Sequence, residues 1–119
     1  MPVRKETLKD RLSRLREITI SVTGRRSGRT VSMPVWFVLE AGTLYLLPVR
    51  GSDTQWYKNV LKKPAIQIEA GRAEAELKVV SVTDAKEVTP VIERFRTKYG
   101  ESGIRLYKKL DVAVIAKMR

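Results

Sequence analysis

Cysteine and histidine are both missing from this chain. Without cysteine there is no disulfide and no thiolate nucleophile. Without either residue, zinc sites of the Cys/His kind are excluded, and so is any triad that needs a histidine base. No metal site is expected. A reaction here has to rest on Tyr, Lys, Arg, carboxylates, backbone amides or a cofactor. A cofactor brings the difficult chemistry with it and needs few reactive side chains. Long hydrophobic runs are missing too: none approaches the roughly 18 residues of a membrane span. The segment Met1 to Arg16 is charged throughout, which reads as neither a signal peptide nor an anchor. The expectation is a cytoplasmic protein.

What the chain does have is positive charge. Its 119 residues carry 24 Lys and Arg against 13 Asp and Glu, a net charge of +11. That balance favours anionic partners such as phosphates, nucleic acid or an acidic membrane surface; the alternative is a solvated basic surface that keeps the chain soluble. The length is that of one domain, residues 1–119, long enough to bury a core without staples.

Hydrophobic spacing predicts a helix over about Lys5 to Arg16, with Leu8, Leu12 and Leu15 on one face. Ile18, Ile20 and Val22 alternate with polar residues, as in a half-buried strand. A two-glycine loop, Gly24 to Arg29, leads to a second strand over about Thr30 to Glu40. There Val31, Met33, Val35, Phe37 and Leu39 share a face, and Pro34 implies an edge or a bulge. Ala41-Gly42 is a turn and Thr43 to Val49 a third strand. Ser52 or Asp53 can cap a helix over about Thr54 to Lys62, which ends before Pro64. Ala65 to Ala70 and Ala73 to Thr83 are strands four and five, joined at Gly71-Arg72. Asp84 caps a helix carrying Val88, Val91, Ile92, Phe95 and Tyr99, although Pro90 moves its expected start toward Thr89. A last strand runs from about Asp111 to Met118. Six strands joined mostly by tight turns must be largely antiparallel, and in so short a chain they leave open edges unless the sheet closes. The expected fold is a mainly β, six-stranded, mostly antiparallel β-barrel with helices outside.

Two segments could bind anions. In Gly24-Arg25-Arg26-Ser27-Gly28-Arg29 the glycines let amides turn toward one point, with guanidiniums and a hydroxyl around it. The same residues also describe an exposed basic hairpin loop. In Arg50-Gly51-Ser52-Asp53 a glycine and a hydroxyl sit where a helix begins. Trp56 is either a wall of that site or plain core, and Asn59 can share its face. If Phe37 faces the core then Trp36 faces outward, which marks a subunit interface or a ligand. Solvent is the favoured source of a proton, with Tyr99 and Tyr107 as the candidate catalytic donors among the side chains.

Thr23-Gly24-Arg25-Arg26-Ser27-Gly28-Arg29, then Pro34-Val35-Trp36-Phe37, Gly42-Thr43-Leu44-Tyr45, Trp56-Tyr57-Lys58-Asn59 and Pro64, in this order, resemble one family. It is the deazaflavin (F420)-dependent nitroreductase family, within the FMN-binding split-barrel superfamily that includes pyridoxamine phosphate oxidases. The resemblance spans about Ile18 to Gly71. It implies a split barrel holding F420 or FMN, whose hydride passes to a quinone, a nitro compound or another small acceptor. By motif, Arg25, Arg26, Ser27 and Arg29 would hold the cofactor's phosphate or acidic tail, and Met33, Pro34 and Val35 would line its ring. Trp56 and Asn59 would close the site, with Arg50 and Ser52 beside them. Members of this superfamily commonly pair, so a homodimer is expected. The competing readings are a flavin- or deazaflavin-binding protein without turnover, and a nucleic-acid-binding small barrel. The absence of any basic residue between Val31 and Leu39 argues against the last.

Overall fold

The computed structural model describes residue 12, residues 14–71 and residues 73–118. In chain order they form β1 (Glu17–Thr23), β2 (Thr30–Trp36), β3 (Val38–Glu40), β4 (Thr43–Leu46) and a 3-10 turn (Gly51–Asp53). Then come α1 (Gln55–Lys62), β5 (Ala65–Ala70), β6 (Ala73–Lys78), β7 (Val80–Val82), α2 (Ala85–Ile104) and β8 (Ala113–Lys117). The strands make two antiparallel four-stranded sheets, in the orders β2-β1-β5-β6 and β3-β4-β8-β7. Ile18, Ile20 and Val22 of β1 are buried between them with Leu44, Leu46, Ile66 and Ile68. Pro34 lies on β2, an edge strand, where a missing N–H costs nothing if it faces away from the partner. Among the described residues no helix is long and apolar enough to cross a membrane.

Six expected strands become eight, and the sheets do not close into one barrel. The reason is the same at two places. The predicted strand over Thr30 to Glu40 ends its pairing with β1 at Trp36, skips Phe37, and resumes against β4 at Val38. The predicted strand over Ala73 to Thr83 leaves β5 at Lys78, skips Val79 and resumes against β8 at Val80. Each skipped residue is a buried corner at which the chain passes from one sheet to the other. Phe37 and Val38 are both buried, so the period of two is broken there.

A corner frees backbone groups from the ladder, and they must find other partners. At Phe37 they find α2. The Phe37 N–H donates to the Tyr99 hydroxyl (3.0 Å), whose own proton is shared between the carbonyls of Phe37 (2.8 Å) and Arg16 (2.7 Å). Lys98 Nζ donates to the Phe37 carbonyl at 2.8 Å and sits 3.7 Å from the centre of the Phe37 ring. At the second corner the Val79 N–H donates to the Pro64 carbonyl (3.1 Å).

Burial, with a smaller push from the Arg16 charge, lowers the Lys98 pKa to about 8. The unfolded chain therefore binds more protons than the folded one between pH 8 and the ordinary lysine value of 10.5. The Lys98 cost is fully present below pH 8 and is relieved as pH rises above it. Burial also raises Tyr99 to about 12, against the opposing hydrogen bond with Phe37, and that group works in the other direction above pH 10. The expected result is a thermal midpoint that gains, between pH 7.5 and 10, a rising component absent from Lys98→Met. Parallel pH profiles for the two proteins would remove Lys98 from this account.

Asp84 caps α2 as expected, accepting from the Lys86 N–H at 2.9 Å. The helix nevertheless starts at Ala85 and runs through Pro90, rather than starting near Thr89. Pro90 is exposed and forfeits one hydrogen bond, while Val88 and Val91 are buried on either side of it. The helix is broken at Gly100, which has a positive φ of 81°. Neither Ser52 nor Asp53 caps α1; Thr54 stands at its N-cap, with no side-chain bond. The helix expected over Lys5 to Arg16 lies largely outside the described residues, although Leu12 is fully buried in the core.

Candidate functional site

The β2 edge, the start of α1 and the segment after α2 enclose an open cavity of about 330 Å³. β2 supplies Met33, Pro34, Val35 and Trp36, and α1 supplies Trp56, with Thr54 just before it. Leu47 and Val49 follow β4, Leu106 and Tyr107 follow α2, and Glu17 begins β1. The volume falls in the range of small-molecule sites, and the lining has their usual makeup of many apolar groups and few polar ones. Because β2 has a sheet partner on one side only, its outward N–H and C=O groups are available to a ligand.

Trp36 is not the outward, solvent-facing ring expected from strand alternation. It is partly buried, stacked on Tyr99 with centroids 4.3 Å apart and planes 6° from parallel. Tyr107 tilts against it at 6.3 Å. Gly103 makes room for this, since a Cβ there would come 3.1 Å from Trp36 Cζ3. The broken end of α2 thus covers the strand face that alternation leaves open. Tyr99, one of the two candidate proton donors, has its hydroxyl committed to backbone and is absent from the cavity wall. Tyr107 does line the cavity, and burial, followed by proximity to Tyr99, pushes its pKa up.

A second, smaller cavity of about 210 Å³ lies against Gly24, Arg25, Arg26, Ser27, Gln55 and Asn59. The two cavities flank the first turn of α1. Thr54 and Trp56 line one, and Gln55, between them in sequence, lines the other. In the loop, Arg25 is not free to meet a ligand. Its backbone N–H (3.1 Å) and guanidinium (2.8 Å) both donate to Asn59 Oδ1, and the guanidinium also reaches Gln55 Oε1 at 2.9 Å. Ser27 Oγ accepts from the Arg29 N–H at 3.1 Å. Arg26 and Arg29 are exposed.

The segment over Arg50 to Asp53 is occupied in a way its sequence does not show. Its anion is the chain's own Asp111. Oδ1 accepts from the Ser52 N–H (2.9 Å) and Oδ2 from Ser52 Oγ (2.6 Å), with Lys109 Nζ 3.6 Å away. Desolvation pushes the Asp111 pKa up, but the Ser52 hydrogen bonds and Lys109 outweigh it and hold the carboxyl below its ordinary range. Arg50 is exposed and lines neither cavity.

Of the residues predicted for the ring, then, Met33, Pro34, Val35 and Trp56 meet in one cavity. Arg25, Arg26, Ser27 and Asn59 meet in the other. Arg29, Arg50 and Ser52 stand apart from both. The sequence pattern does not mark Glu17, Leu47, Val49, Thr54 or Leu106. Glu17 reaches the cavity because it pairs in register with Trp36 across the ladder.

Two antiparallel sheets between which the chain passes at buried corners, with an apolar cavity on the outer edge strand, make a split-barrel fold. Solved structures agree. An F420-H2 dependent reductase superposes with a TM-score of 0.68 at 18% identity, over 86% of this chain and 94% of that one. The heme storage protein HutZ from Vibrio cholerae gives 0.71 at 14% identity, over 94% and 87%. A putative pyridoxamine 5'-phosphate oxidase from Listeria innocua gives 0.67 at 11% identity, over 93% and 89%. At these identities the likeness is one of fold. No curated protein matches the chain. Within this fold class the chain belongs to the family described as "Uncharacterized protein conserved in bacteria (DUF2255)", whose profile matches residues 9–115.

Proposed function

We propose that this protein is a cytoplasmic, single-domain, homodimeric oxidoreductase of the split-barrel type. It would bind FMN or the deazaflavin F420 and pass a hydride to a small organic acceptor such as a quinone or nitro compound. The observation that carries the reading is the pair of cavities on either side of the α1 N-terminus: an apolar one lined by Trp36 and Trp56, and one against the basic loop, with Gln55 lining the second and its neighbours Thr54 and Trp56 the first. A planar ring with an anionic tail needs both. Such a cofactor, when bound, supplies the hydride.

The chain's own residues have simpler tasks. Met33, Val35 and Trp56 form apolar walls that exclude water from a ring. The free edge of β2 offers backbone groups to the ring's polar rim. Arg26 is the exposed guanidinium in the loop cavity, whereas Arg25, bonded to Asn59, holds the loop in place. Exposed Val49 and Leu106 at the cavity, 48% and 60% accessible, are the apolar surface a second subunit would cover.

The test is titration of purified protein with FMN and with F420, followed by quenching of Trp fluorescence. Arg26→Ala is expected to weaken binding by about ten- to a hundredfold, the worth of one charge-assisted hydrogen bond. Its thermal midpoint should not move, because an exposed charge adds little stability. If neither cofactor binds the wild-type protein, the redox reading is wrong. If binding is tight and Arg26→Ala is neutral, the basic loop is not the tail site.

A further inference from the structure

The cavity between β2 and α1 has a charge that the cofactor reading does not use. In a chain of net charge +11, the single charged side chain on its wall is a carboxylate, Glu17. Among the described residues no Lys or Arg lines it. Arg16 and Lys98 instead pack over the Tyr99 ring, each 5.1 Å from its centre. Glu17 is exposed at the head of β1, directly across the ladder from Trp36. Trp36, Trp56 and Tyr107 line the same space. Aromatic faces beside a carboxylate attract a desolvated organic cation, through the ring quadrupoles and through direct charge pairing.

We propose that Glu17 makes this cavity selective for a cationic, flat nitrogen heterocycle, an N-alkylated aromatic ring, as the acceptor. The inference rests on the redox reading above and names its substrate class. The chemistry of the cavity favours such an acceptor. A neutral acceptor requires a proton as well as a hydride, and the wall holds no good acid, so that proton would have to come from solvent: the Tyr99 hydroxyl is bonded to backbone, and Tyr107 is a weaker acid than free tyrosine. A ring containing C=N⁺ requires none. A flavin-type cofactor, if bound and reduced, would supply the hydride for the new C–H bond; the C=N π pair would move to nitrogen and leave a neutral amine, whose lost charge Glu17 had paired. Glu17 therefore stabilises the bound acceptor more than the transition state, so Glu17→Gln should raise KM and raise kcat with it, leaving kcat/KM little changed.

Calorimetry at low salt on protein saturated with whichever of FMN and F420 it binds, using three flat probes of similar size, tests this: N-methylquinolinium, quinoline and 1-naphthoate, at a pH where quinoline is neutral. The cation should bind about tenfold or more tighter than quinoline, and the naphthoate more weakly than either. Glu17→Gln should erase the preference for the cation, and Glu17→Asp should keep part of it. An unchanged thermal midpoint would show that both variants are folded. Equal binding of cation and neutral probe by wild type, or a preference that survives Glu17→Gln, overturns the proposal. The measurement needs no turnover, so it stays separate from the cofactor titration. Failure of FMN and F420 to bind would overturn the redox reading, whereas loss of the cation preference alone would overturn only the role of Glu17.

Discussion

Gly51→Ala should lower the stability of this protein by about 3–5 kcal/mol, which for a chain of this size is a fall in thermal midpoint of about 10 °C or more. Two costs add. Gly51 has a φ of 54°, a left-handed conformation that costs an L-residue about 1–2 kcal/mol. The new Cβ would also run into the Asp111 carboxylate and approach the Lys109 carbonyl to 3.0 Å. The carboxylate must then give up one or both hydrogen bonds from Ser52, each worth about 1.5–3 kcal/mol to a charged group and less where water reaches it. Gly28→Ala is the control. Gly28 also has a positive φ, 73°, but a Cβ there meets nothing within 4 Å, so only the backbone cost applies. Chemical denaturation of both variants decides the matter. A Gly51→Ala loss no larger than that of Gly28→Ala would mean that the Asp111 cradle contributes nothing.

Asn59→Ala is expected to cost about 2–4 kcal/mol and to weaken cofactor binding at the same time. Asn59 is buried, 7% accessible, and its Oδ1 accepts from both the backbone and the guanidinium of Arg25. Removing it deletes one charge-assisted bond and one neutral bond, and leaves a partly buried N–H without an acceptor. The loop that carries Arg26 then loses its tie to α1. Cofactor affinity should fall although Asn59 itself need not touch the cofactor. Asn59→Asp separates the two roles. It keeps an acceptor for Arg25 and adds a favourable charge, so the loop stays docked and stability is largely kept. Comparing the denaturation midpoint and the cofactor Kd of both variants checks this. Full affinity in Asn59→Ala would show that loop position does not matter to binding.

Both substitutions fall in motifs legible in the sequence, and in both the structure alters what the motif does. The Arg50-to-Asp53 segment has the composition of an anion site, and it does hold an anion. That the anion is Asp111, dozens of residues further along the chain, is a matter of topology: the segment after α2 runs back beside the 3-10 turn, where Arg50 and Lys109 form a parallel bridge. No local pattern encodes that return. The loop over Gly24 to Arg29 was equally open between an anion cradle and an exposed basic hairpin. Only the docking of α1 shows that its arginines differ, Arg25 bonded to Asn59 and Arg26 exposed.

The sequence by itself determined the local elements. Alternation placed β1 and β5, the Ala41-Gly42 turn joined β3 to β4, and Asp84 capped α2. Each of these depends on residues within a few positions of one another, where spacing and turn chemistry act directly. The tertiary structure decided the corners at Phe37 and Val79, the cover that Tyr99 places on Trp36, and the arrival of Glu17 at the cavity. A continuous apolar run such as Val35 to Leu39 satisfies one long strand as well as two short ones. What breaks it is the curvature of two packed sheets, together with the Tyr99 and Lys98 groups that α2, some sixty residues later, supplies to the Phe37 backbone.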